Sequence, residues 1–121
     1  PYTTLFRSEG SRAWGDEEKL SRAINNILSN CIRYAKSVVV ISLIIVHNEK
    51  IEITIADDGP GFDNQELPNI FDRFYKGKKG NFGLGLAISK NIIEKHNGKI
   101  TAKNSESGAL FIIELPIRII T

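Results

Sequence analysis

The stretch that most restricts how this chain can fold is Asp57-Asp58-Gly59-Pro60-Gly61, read with the pattern that leads into it. Ile51-Glu52-Ile53-Thr54-Ile55-Ala56 alternates apolar residues with polar or small ones, the period of a half-buried strand. A carboxylate at the end of such a strand, followed by Gly-Pro-Gly, puts an acid on a rigid element beside backbone that a ligand can approach closely. Alone, Asp-x-Gly-x-Gly fits a plain tight turn equally well. Its meaning depends on what stands at either side.

Upstream, Asp16 is placed to cap a helix, with Glu17 and Glu18 in the first turn where the dipole favours negative charge. Leu20, Ile24, Ile27, Leu28 and Cys31 then recur with the spacing of one buried helical face. Asn26, Asn30 and Arg33 fall on an adjoining polar stripe. Two asparagines there fit either a solvated surface or a ligand site, since asparagine is a mediocre helix former. Ser37 to Val46 is a β-branched, almost unbroken apolar run, which predicts a strand buried on both faces. His47-Asn48-Glu49-Lys50 predicts a turn that makes it an antiparallel hairpin with Ile51–Asp57.

Downstream, Leu67 to Tyr75 predicts a helical turn or two. Lys76-Gly77-Lys78-Lys79-Gly80-Asn81-Phe82 has no periodicity and predicts a mobile loop. It ends in Gly83-Leu84-Gly85-Leu86, which opens a helix running to about His96, with Asn97-Gly98 as its left-handed cap. Strands are expected over about Lys99–Asn104 and Ala109–Leu115. Glycines at a loop-to-helix junction suit phosphate, because freed backbone N–H groups and the helix dipole converge there; close packing is the bland alternative. No Gly-Lys-Ser/Thr follows, so this is not a Walker loop, and the third glycine of a dinucleotide fingerprint is missing.

Length and charge bound the rest. The chain has 121 residues and a net charge of +2, which fits one domain with a core and implies no general nucleic-acid role. A single cysteine excludes an internal disulfide and fits a reducing compartment. The longest apolar run, Val38 to Val46, falls short of the roughly 20 residues that span a bilayer. Pro1 to Ser8 reads as a translated sequencing-adaptor oligonucleotide and is left out of fold reasoning. On that reading residues 9–121 are one domain, truncated at its N-terminus.

The order Asn26-x-x-x-Asn30, Asp57-x-Gly59-x-Gly61, Phe71-x-x-Phe74, Gly83-x-Gly85 resembles the N, G1, F and G2 boxes of sensor histidine kinases. These belong to the GHKL ATPase superfamily, with gyrase, the MutL repair proteins and a heat-shock chaperone. The resemblance covers about residues 14–116. It implies an α/β two-layer sandwich, a mixed β-sheet covered on one face by helices (the Bergerat or histidine-kinase ATPase fold), with ATP between helices and lid. Asp57 would accept from the adenine amino group, and Gly59 and Gly61 would admit the base. Asn30 would coordinate Mg²⁺ with Asn26 assisting, both counted as catalytic. Arg33 would meet phosphate and Tyr34 would border the nucleotide. Gly83, Leu84, Gly85 and Leu86 would form the phosphate segment, with Phe71 and Phe74 anchoring the lid. Lys76, Lys78 and Lys79 are either phosphate contacts or a solvated basic loop.

Hydrolysing relatives carry a glutamate general base where this chain has Asn26, which cannot take a proton. The resemblance therefore implies a kinase that donates the γ-phosphoryl group to a histidine on a separate dimerisation domain. That domain would precede Glu9, with a response regulator downstream and a homodimeric full-length protein. The segment would be cytoplasmic, with any membrane anchor lying outside it. His47 reads as a turn residue and His96 as a helix-end cap; neither is assigned as the acceptor. Two departures from the family stand out: Asn81 replaces a frequent glycine, and Cys31 replaces alanine and reads as a small buried residue. The alternatives are a stand-alone serine kinase of the anti-sigma-factor type and a degenerate module without nucleotide. Phe-x-x-Phe and the short lid oppose the first. The intact Asp57, Asn30 and glycine pairs oppose the second.

Overall fold

In the computed structural model, which describes residues 3–8, 11–73, 75 and 85–119, the chain runs β1 (Thr3–Ser8), β2 (Ser11–Gly15), α1 (Glu17–Tyr34), β3 (Val39–Val46), β4 (Lys50–Asp57). A 3-10 turn (Leu67–Asn69), α2 (Gly85–Lys95), β5 (Lys99–Asn104), β6 (Ala109–Pro116) and β7 (Arg118–Ile119) follow. The helices cover one face of a four-stranded sheet of order β3-β4-β6-β5. This is the expected two-layer sandwich. Its described pairings are all antiparallel, so the sheet is not mixed as the family resemblance implied. β1, β2 and β7 form a separate small sheet, and β1 lies in the segment read as adaptor-derived.

Local chemistry accounts for the element ends. Asp16 Oδ1 accepts from Lys19 N at 3.1 Å and so caps α1 as expected. α2 closes with Asn97 in the left-handed region (φ 61°), and Gly98 N donates to Ile93 O at 2.9 Å. His47 and Asn48 both take positive φ, which reverses the chain between β3 and β4. The core lies between layers. Leu20, Ala23, Ile27 and Cys31 of α1 and Leu86, Ile92 and Ile93 of α2 bury against Ile53, Ile55, Phe111 and Ile113 of the sheet.

β3 departs from its sequence reading. It is the edge strand, and Val40, Ile41, Leu43 and Ile44 are exposed on its two faces, so it is not buried. An apolar run signals a strand; it does not say whether a second neighbour or a covering layer exists.

Two long-range ties fix the framework. Asp58, next to the site acid, accepts from Lys36 N (2.8 Å), Ser37 N (3.0 Å), Val38 N (3.1 Å) and Ser37 Oγ (2.8 Å). These donors, with the Ser37 and Val38 amides foremost, hold its carboxyl far below the usual carboxylate range. His96, read as a helix-end cap, is buried. Its Nδ1–H donates to Ile92 O at 2.8 Å while Nε2 accepts from Asp16 N at 2.9 Å, joining the start of α1 to the end of α2.

Each tie makes a prediction. Asp58→Ala lowers the urea midpoint at pH 7. Because the folded-state pKa is depressed, Asp58 stabilises above its unfolded value of about 3.9, and that stabilisation is lost as pH falls from there. The gap between variant and wild type therefore stays constant above about pH 5 and narrows progressively as pH falls below about 4. His96→Ala leaves the Asp16 N–H without its acceptor and costs about 1 kcal/mol or more, read as a lower urea midpoint at unchanged slope.

Candidate functional site

Asp57 ends β4 pointing to the helix side, and only 4 % of it is exposed. Its Oδ1 accepts from Gly59 N at 2.8 Å and from Ala109 N at 3.4 Å. Its Oδ2 is buried and has no hydrogen-bond partner among the described residues. A buried acceptor without a donor is costly in a folded protein and is the kind of group that a ligand N–H satisfies. Cys31 lies beside it, fully buried. Burial first, and the Asp57 charge second, push its thiol up to about 12, so it stays protonated and unreactive.

The glycines make this arrangement possible. A Cβ on Gly59 would fall 2.3 Å from the Tyr34 carbonyl oxygen, so only glycine lets the loop after β4 close onto the end of α1. Gly61 sits at φ +77°, and a Cβ there would meet Asn104 Oδ1 at 2.6 Å. That Asn104 side chain accepts from Phe62 N (2.7 Å) and donates to Phe62 O (2.8 Å), which locks the loop to the end of β5. Asn104 and Asp58 carry this geometry, and no local pattern in the sequence marks either.

On α1, Asn26, Asn30 and Tyr34 recur every four residues on one face and span about 12 Å along the axis. Asn26 Nδ2 donates to Gly85 O at 3.3 Å, at the opening of α2. Asn30 is 8 % exposed between the two ends, and the Tyr34 carbonyl faces Gly59. The stripe thus connects the glycine-led start of α2 to the acid at the end of β4. Arg33 is exposed at its margin. Leu86 is buried in the core, so its side chain packs α2 and does not face the cleft surface.

Phe71 is half-buried and meets Phe111 edge-on, with ring centroids 6.3 Å apart. Lys90 Nζ stands 5.7 Å from its centroid, a cation–π contact from α2. Phe62 meets the same Phe111 at 5.6 Å. Phe74, Gly83, Leu84 and the lysines of the expected lid lie outside the described residues. Among the described residues no group of three or more His, Cys, Asp or Glu gathers to hold a metal, and no helix is long and apolar enough to cross a membrane.

Comparison with known proteins agrees with this geometry. Residues 15–119 match the family described as histidine kinase-, DNA gyrase B-, and HSP90-like ATPase. The chain is 39% identical over 102 residues to the sensor histidine kinase CssS of Bacillus subtilis, covering 84% of this chain and 22% of that protein. It is 38% identical over 112 residues to the signal transduction histidine-protein kinase BaeS of Escherichia coli, covering 86% of this chain and 24% of that one. It thus spans about a quarter or less of these relatives. Among solved structures, the mycobacterial sensor histidine kinase MprB superposes with a TM-score of 0.81 at 32% identity, over 91% of this chain and 78% of that one. The chain belongs to the histidine kinase-, DNA gyrase B-, and HSP90-like ATPase family, and within it to the catalytic domains of sensor histidine kinases.

Proposed function

We propose that this domain binds Mg-ATP along the Asn26–Asn30–Tyr34 stripe and donates the γ-phosphoryl group to a histidine on a separate dimerisation domain, in two-component signalling. The observation that carries the reading is Asp57 Oδ2, a buried acceptor in need of a donor. An adenine amino group supplies that donor, whereas guanine presents a carbonyl oxygen at the same position and would face the carboxylate unfavourably.

The base end of the site is then Asp57, Gly59 and Gly61, bordered by Tyr34. The phosphate end is Gly83, Leu84, Gly85 and Leu86, where backbone N–H groups at the start of α2 favour negative charge. Asn30 and Asn26 stand between them. With no cluster of three or more His, Cys, Asp or Glu among the described residues, magnesium would rest on amide oxygens and on the phosphates, a donor set of hard oxygens that suits it. When bound, the ion neutralises charge on the phosphates. Asn26 directs its Nδ2 to Gly85 O, which leaves its side-chain oxygen for the ion or its water. Neither asparagine can act as a general base, so water is not activated and the phosphoryl group is kept for transfer. Arg33, at the margin, meets the phosphates. Phe71, with Phe74, anchors the lid. The full-length protein is a homodimer that passes phosphate to a response regulator.

Asp57→Asn tests this reading. It keeps the Oδ1 acceptor for Gly59 N and Ala109 N, so the melting temperature stays close to wild type. At Oδ2 it puts an N–H against the adenine donor. Calorimetric titration with ATP and Mg²⁺ should show about ten- to hundredfold weaker binding, the loss of about 1.5–3 kcal/mol for a charged hydrogen bond. GTP should bind wild type poorly. A folded wild type that binds no ATP would overturn the reading.

A further inference from the structure

We propose that β3 is a homodimerisation edge. Two copies pair their Val38–Val46 segments antiparallel about a two-fold axis at Ser42, joining two four-stranded sheets into one continuous sheet.

The edge has an open backbone. β3 is an end strand whose only sheet neighbour among the described residues is β4, in an unbroken register from Val39↔Asp57 to Val46↔Lys50. Asp58 N donates to Val38 O, so even-numbered residues of β3 direct their backbone groups to β4. Val39, Ile41, Leu43 and Ile45 therefore point N–H and C=O to the open side. Here are four residues' worth of hydrogen-bonding groups without a strand partner among the described residues.

The side chains fit another strand and do not repel one. Val38–Val46 contains eight apolar residues, one serine, no charge and no proline. Ile41 (54 % exposed) and Leu43 (43 %) lie on the helix side, opposite the buried Ile55 and Ile53. Val38, Val40 and Ile44 are exposed on the other face. Ile32, 65 % exposed, extends the apolar surface from the flank of α1 turned away from α2. An exposed zone of this kind marks an interaction site. The opposite edge gives the contrast: β5 carries exposed Lys99 and Lys103, the charges that ordinarily keep a free edge from pairing. One edge is guarded and the other is not.

A second copy is the occupant the segment matches best, because antiparallel self-pairing over its full length sets apolar against apolar throughout. Ile41 meets Leu43 of the other copy, Val40 meets Ile44 and Val38 meets Val46. Lys36 at one end comes beside Asn48 and Glu49 at the other, opposite charges and not like ones. An isologous contact of this kind closes at two.

Sedimentation of the 121-residue chain across about 1–100 μM reads the equilibrium. Ser42 of each copy would form a non-hydrogen-bonded pair with Cα atoms about 4.5 Å apart, within disulfide range. Ser42→Cys should therefore cross-link on oxidation, whereas Val46→Cys, placed against Val38, should not. Native Cys31 is buried and gives no background. Leu43→Lys should weaken the dimer about thirtyfold or more, as a central interface residue does, and adding Ile41→Glu should restore it. Rescue separates a lost contact from a lost fold; if Leu43→Lys unfolds, the cysteine pair decides. A wild-type chain that stays monomeric, and so leaves β3 for some other strand, overturns the proposal. So does a dimer that neither cross-links through position 42 nor responds at position 43.

Discussion

A buried carboxylate satisfied on one oxygen only is the constraint around which the rest is arranged. Removing an acid from water is costly unless donors replace the lost hydration. Asp57 receives two backbone N–H groups, both on Oδ1, and each requires a particular piece of architecture. The Gly59 amide reaches it because the loop doubles back onto the Tyr34 carbonyl, a closure that any Cβ would block. The Ala109 amide reaches it because β6 enters the sheet directly after Gly108, where a Cβ would fall 2.3 Å from the Asp57 carbonyl oxygen. Helix end, loop and neighbouring strand thus all meet at one side chain. Oδ2 is left over.

The helix layer sets what Oδ2 faces. α1 and α2 run antiparallel and are tied at three levels: His96 to the Asp16 amide, Ser89 Oγ to Ala23 O at 2.7 Å, and Asn26 to Gly85 O. Buried polar contacts of this kind specify one arrangement of a packed pair, because slipping by a turn would leave every one unmade. They fix the rotation of α1, and with it the line of Asn26, Asn30 and Tyr34 above the sheet. The polar stripe is therefore positioned by groups that do not themselves touch the cleft.

Much of this was legible from sequence because it is local. The Asp16 cap, the apolar face of α1, the left-handed Asn97, and the β4 alternation ending in an acid all follow from rules that act within a few residues. What was not legible depends on distant partners. Asp58 looks like a second acid of the motif, yet it is spent on three amides some twenty residues upstream. His96 looks like a cap residue, and its second bond crosses 80 positions. Asn104 gives no signal at all. The largest misreading was β3, where the run Val38–Val46, eight apolar residues interrupted only by Ser42, implied burial. Hydrophobic content reports how much surface a strand could bury; topology decides how much it does.

That mismatch has a physical consequence for the site. Val39 of β3 stands directly opposite Asp57, and the residues just before it, Lys36 to Val38, are the ones that hold Asp58. The strand that frames the acid is thus also the least covered strand of the sheet, anchored by β4 on one side alone. Edge strands with few buried contacts open most readily. Fraying at β3 would loosen the Asp58 ties first and the approach of Tyr34 to Gly59 next, since both hang on the short connection from α1. A strand pairing with the open edge of β3 would therefore act on the Asp57 end of the cleft without touching it, by suppressing the local opening that would disorder the Asp57 loop.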